Sequence, residues 1–171
     1  MIHEFVYFVT IHAVWAGPIL GLVALIEALA VVGSFVPGST ILVAVGTAFG
    51  ALHLSVLPLL PWAVIGAMLG DSSSFAMGRM HGSRILAMRP FHYRPNWTAR
   101  GRDLLQQRGA LAVIAGRLLP PLRALMPLLT GMSELSTTRF LLADFIASIL
   151  WASLHLLPAA YAGKLVLARW L

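Results

Sequence analysis

Four ionisable side chains stand in stretches otherwise fit for hydrocarbon: Glu27 among Ala, Leu, Ile and Val, Asp71 after a long uncharged run, and Arg117 and Arg123 on either side of the pair Pro120 and Pro121. An ionised group at the centre of a membrane helix costs about 2.5–3.5 kcal/mol or more, so each of them needs a partner or water. Two fixed cations beside a helix break, where backbone amides lack helical acceptors, make a cradle for a phosphate group, because a planar guanidinium grips two oxygens at once. Glu27 and Asp71 then have two compatible roles. They act as counter-charges that hold the arginines while the cradle is empty, or as proton carriers in a dry site. Structural readings compete at each position. Arg117 and Arg123 would equally serve as a pair snorkelling to the interface, and Asp71 as a helix-terminal residue near the aqueous face, capping through the serines that follow it. One shared polar cavity is the least costly arrangement for the four, since each charge lowers the burial penalty of the others.

Asp144 and His155 lie on a similar helical face of the last apolar segment, where they extend a proton path or serve as polar glue between helices. His12 and His53 have no partner at ligand spacing, so neither a metal nor a cofactor is expected. The sequence lacks a Gly-x-Ser-x-Gly nucleophile setting and a His-Glu-x-x-His motif, and no histidines accompany the arginines as in a phosphatase. An enzyme is therefore not expected. The absence of cysteine excludes disulfides, thiolate metal sites and thiol catalysis.

The elements that must position these residues follow from composition. At 171 residues, 59% hydrophobic and 11% charged, the chain lies outside the range of soluble domains and is expected to be an all-α polytopic membrane protein, a single domain over residues 1–171. Before Arg79 the only charged side chains are Glu4, Glu27 and Asp71, and the uncharged run 28–70 is long enough for two passes of about 20 residues. The first segment begins with an acid and no basic residue, which argues for retention rather than cleavage as a signal.

The expected order is a helix over residues 5–26 bent at Gly17 and Pro18, a break at Pro37 and Gly38, an apolar stretch over 41–57, and a helix opened by Pro58 and Pro61 that runs through Met77. A basic loop with short surface helices over 79–109 comes next, then a second broken segment over 110–131 and a last spanning helix over 140–161. Arg79, Arg84, Arg89, Arg94, Arg100, Arg102 and Arg108 fall in that loop with Asp103 as its only acid, which places it in the cytoplasm. Segment parity then puts the N-terminus in the cytoplasm and leaves the side of the C-terminus open. The loop also suits anionic head groups. The net charge of +6 is concentrated there, so nucleic acid is not an expected partner. Gly66, Gly70 and Gly78, at helical spacing, predict close helix packing.

The two halves rhyme, each with a broken segment ahead of a helix that carries an acid, Asp71 or Asp144, as in transporters built from inverted repeats. Glu27 before FVPGS, GAMLGDSSSFAMGRMHG over 66–82, and GRLLPPLRALMPLLTGMSELSTTRF over 116–140, at their spacing, resemble the DedA membrane proteins, also called SNARE-associated or VTT-domain proteins. The chain departs from the family's pattern at Ser39, where an acid usually follows the Pro-Gly, and at Pro121, where a Gly usually follows the Pro. The resemblance implies two re-entrant helical hairpins in an inverted repeat, the bacterial inner membrane, and proton-coupled movement of polyprenyl (undecaprenyl) phosphate. Its functional residues fall on Glu27, Asp71, Arg117 and Arg123, with Ser39 and Asp144 as additional positions. The expected partner is a lipid phosphate head group, and a second copy of the chain is compatible with it. A general phospholipid scramblase and a non-transporting scaffold are the alternatives.

Overall fold

A computed structural model describes residues 2–29, 37–87, 95–123 and 125–168, and among them every regular element is helical. The segment before Pro37, Arg89 and Arg94 of the basic stretch, and Arg169 lie outside the described residues, as do the side chains of Glu4 and His12. The helices are α1 (Ile2–Ala28), α2 (Gly38–Ala51), α3 (Leu59–Leu86), α4 (Pro95–Arg108), α5 (Ala110–Leu118), the single turn α6 (Pro120–Arg123), α7 (Met126–Met132) and α8 (Thr137–Ala168).

Both expected breaks have local causes. Leu119 stands before Pro120 and is extended, at φ −100° and ψ 108°. The proline ring disfavours helical geometry at the preceding residue, so α5 stops there. At the other break Pro37 has non-helical backbone angles and no capping side chain of its own, and α2 starts at Gly38. Ser136 opens α8 instead of a proline: its hydroxyl accepts from the Arg139 amide at 3.4 Å and its carbonyl from the Phe140 amide at 3.0 Å.

The principal packing pairs α1 with α3 and α2 with α8, while α3 also meets α7 and α8, and α5 lies on α8. Glycines set these approaches. A Cβ at Gly66 would strike the Gly21 carbonyl of α1, one at Gly70 the Leu25 carbonyl, and one at Gly78 the Leu128 carbonyl of α7. Gly50 and Gly163 perform the same service between α2 and α8. Small residues that let backbones touch are the usual device of helix packing in lipid, where apolar side chains gain nothing by leaving one hydrocarbon for another.

The distribution of side chains is inverted relative to a soluble protein. Val14, Trp15, Ile19, Leu22, Ile65, Leu69, Leu142, Ile146, Leu154 and Leu165 face outward, whereas Glu27, Asp71, Arg117, Asp144 and Ser148 are buried. An apolar exterior around a charged interior suits a hydrocarbon surrounding. By length and composition, Thr137–Leu165 is the one described helix that suffices to cross a bilayer, and Val14–Ala28 and Gly38–Ala51 are shorter apolar helices.

Two expectations, the start of the basic loop and the capping role of Asp71, are corrected. The basic loop does not start at Arg79: α3 runs through Arg79 and Arg84 to Leu86, bending at His81, where φ is −139°. No proline stands in that stretch before Pro90, and Arg79 is held at the start of α8, donating to Thr137 Oγ1 at 3.2 Å and to the Leu135 carbonyl just before it at 3.0 Å. Within the apolar stretch over 41–57 the helix ends at Ala51, after which a turn includes His53 at φ 56°. Asp71 does not cap a helix end. It lies in the interior of α3, 1% exposed.

Candidate functional site

Glu27 occupies the last turn of α1, where the helix dipole disfavours an acid, and its compensation comes from other elements. Its Oε1 accepts the Ser39 amide and the Ser39 hydroxyl, each at 2.8 Å, so α1 supplies the cap that Pro37 cannot give to α2. Gly38 is required by this approach, because a Cβ there would meet the Glu27 carboxylate. Arg123, from α6, completes the cluster: Nη1 donates to Glu27 Oε1 at 2.8 Å and to Ser39 Oγ at 2.7 Å, and Nη2 faces Oε2 at 2.7 Å. Ser39 stands where the family's pattern has an acid, and its hydroxyl does what a second carboxylate could not. It donates to Glu27 while accepting from Arg123.

Arg117, at the end of α5, is held by two acids on the same nitrogen. Nη1 contacts Asp71 Oδ2 of α3 and donates to Asp144 Oδ1 of α8 at 3.0 Å. Its Nε and Nη2 are buried with no hydrogen-bond partner. The break between α5 and α6 turns the chain so that Arg117 and Arg123 reach different acids yet share one neighbour. The Trp151 ring lies 4.6 Å from Arg123 Cζ and 5.4 Å from Arg117 Cζ, within cation–π range of both.

The four residues singled out first are thus brought together, as two ion pairs over one indole rather than as one mixed cluster. Interface snorkelling does not describe them, since Arg117 is 5% exposed and the Arg123 side chain 15%. Asp144 is an ion-pair partner of Arg117, and His155 stands apart, its Nδ1 donating to the Trp151 carbonyl at 2.7 Å. Trp151 was missed by sequence reasoning. An apolar helix carries several aromatic residues, and the only available signal was its seven-residue offset from Asp144, which puts both on one helical face.

Among the described residues no group of histidines, cysteines or acids could hold a metal ion. A separate cavity of about 540 Å³ opens between α4 and the turn after α7, lined by Arg102, Leu105, Gln106, Met132, Ser133 and Glu134 among others. It does not touch the paired charges.

A helical bundle with an apolar exterior and ion pairs at its core has the character of a membrane protein. The VTT domain family matches residues 36–161, and the chain belongs to that family. It is similar to the inner membrane protein YabI of Escherichia coli, 28% identical over a 167-position alignment that covers 94% of this chain and 63% of that protein. Protein DedA of the same organism is 25% identical over 162 residues, 92% and 74% of the two chains. The inner membrane protein YohD is 33% identical over 144 residues, 82% and 72%. The chain spans about three fifths of two Buchnera aphidicola membrane proteins it matches, 58% and 61% of their lengths. No solved structure matches it.

Proposed function

We propose that this chain is a multi-pass lipid transporter of the bacterial inner membrane that moves polyprenyl phosphate across the bilayer, its two broken segments acting as re-entrant hairpins of an inverted repeat. One observation carries the reading: the buried guanidinium of Arg117 and the partly buried one of Arg123 meet over a single indole, and Arg117 keeps an edge of Nε and Nη2 with no partner. That edge is the side-on fork that grips two oxygens of a phosphate. Such donors are costly to leave unmade in a dry interior, so an arriving oxyanion is favoured there.

Charge balance supports proton coupling as part of the same proposal. Glu27, Asp71 and Asp144 face Arg117 and Arg123, three carboxylates against two cations. A phosphate adds negative charge to a site that already has the excess, and its entry is easiest when a carboxyl group takes up a proton or withdraws. The lipid tail remains in hydrocarbon while the head group passes along the arginines.

The test is a vesicle assay on the purified chain with a polyprenyl phosphate in one leaflet, reading head-group exposure on both sides. Protein-dependent movement of unchanged lipid is the expected result. A chemically altered lipid would identify an enzyme, and neither movement nor alteration would leave a scaffold. Equal movement of ordinary phospholipids would replace the proposal by a general scramblase.

A further inference from the structure

The face of α8 that carries Asp144 continues one turn on with Ser148 and then Trp151, offsets of four and seven residues. All three are buried, at 0%, 0% and 2% exposure. Each ends in an atom without a hydrogen-bond partner: Asp144 Oδ2, Ser148 Oγ and Trp151 Nε1. Together with Nε and Nη2 of Arg117, which Asp144 pairs and the Trp151 ring faces, they make five orphaned polar atoms at that ion pair and on the helix face that carries it, in an interior where most such atoms are satisfied. Ion pairing does not account for them, because Asp144 meets Arg117 through Oδ1 and Nη1 and leaves these atoms over.

The composition of the set is informative. Arg117 Nε, Arg117 Nη2 and Trp151 Nε1 only donate, Ser148 Oγ can donate, and Asp144 Oδ2, when ionised, only accepts. A group that satisfies several donors and one acceptor at a single place is an oxyanion that still bears one hydrogen. A singly protonated phosphate monoester has that pattern, with free oxygens for the donors and a P–OH for the carboxylate. A phosphodiester has two free oxygens and no hydrogen to give. We propose that Ser148 and Trp151, with the open edge of Arg117 and Asp144 Oδ2, form a head-group subsite on α8 that selects phosphate monoesters over diesters.

This rests on the phosphate reading of the arginines and adds to it two residues and a selectivity. The Trp151 ring serves the cations through its face and the ligand through its N–H, roles that separate on substitution by phenylalanine.

The experiment measures binding of a short-chain isoprenyl monophosphate to the full chain in detergent, beside the methyl diester and the free alcohol of the same tail. Wild type is expected to bind the monoester at least tenfold more tightly than the diester. Ser148→Ala and Trp151→Phe are each expected to weaken monoester binding about tenfold, the worth of a hydrogen bond to a charged group, and Asp144→Asn to narrow the gap between monoester and diester. Thermal midpoints without ligand control for folding. Should Trp151→Phe fail to fold, Ser148→Ala, which removes one oxygen, decides alone. If both variants bind like wild type while Arg117→Lys binds more weakly, the orphaned atoms hold only water and the subsite is overturned, with the phosphate reading intact. If wild type does not distinguish monophosphate from alcohol, both are overturned.

Discussion

Glu27 and Arg123, 96 positions apart in the chain, meet through two nitrogens and two oxygens, with the Ser39 hydroxyl bridging them. The pair ties the end of α1, the start of α2 and the one-turn α6 into one unit. Removing one partner of a buried pair leaves the other charge uncompensated, a loss of about 3–5 kcal/mol, whereas replacing both with neutral groups costs far less. Glu27→Gln and Arg123→Met are each expected to lower the thermal midpoint in detergent. The double variant should lie above the more damaged single one. Additive losses would show that the two side chains do not depend on each other.

How much of this was readable before folding differs from residue to residue. The breaks at Pro37 and Pro120 were legible because proline acts on its immediate neighbours. The buried acids and arginines were legible because charges are rare in so apolar a chain. Which acid serves which arginine was not, since Arg117 finds Asp144 27 positions away and Arg123 finds Glu27 across most of the chain. Trp151 and Ser148 were invisible for a different reason. A Trp or Ser in an apolar helix is ordinary, and only packing shows that the Trp151 ring lies against both arginines and that Ser148 is buried on the same helix face. The extension of α3 to Leu86 is not legible in the sequence, because arginines mark a loop and sit on a helix end equally well.

The glycine contacts predict a graded response. Gly66→Ala and Gly131→Ala each push a methyl group into a backbone carbonyl, of Gly21 and Phe75 respectively, which no side-chain motion relieves. Overpacking of this kind costs about 1–3 kcal/mol or more. Gly109 has nothing within 4 Å and resists substitution only through its backbone, at φ 53°, so Gly109→Ala should cost about 1–2 kcal/mol. Midpoints measured side by side in one detergent check the order. A loss at Gly109 larger than at Gly66 would contradict the packing of α1 on α3.

Orientation follows from the arginines of α3 and α4. Asn96 is exposed near the start of α4, next to Arg100 and Arg102, on the side the charge rule assigns to the cytoplasm. A cysteine placed there by Asn96→Cys, in a chain with no other cysteine, should react with an impermeant maleimide only after the cells are opened. Labelling of intact cells would invert the protein in the membrane.

Arg117→Lys and Arg123→Lys separate a transport site from an electrostatic anchor. Lysine keeps the charge, so the ion pairs to Asp71, Asp144 and Glu27 survive in part and the chain should still insert and purify. Lost are the planar fork and, at Arg117, the Nε and Nη2 edge that has no hydrogen-bond partner. An edge that does nothing for folding can be missed only by a ligand. Lipid movement in vesicles should therefore fall about tenfold or more in Arg117→Lys with little change in thermal midpoint, as expected for a charge-assisted bidentate contact. Arg123→Lys should lose both activity and stability, because Arg123 spends its nitrogens on Glu27 and Ser39. Transport at wild-type rates by Arg117→Lys would make that free edge idle, and the transport path would have to be sought away from α5.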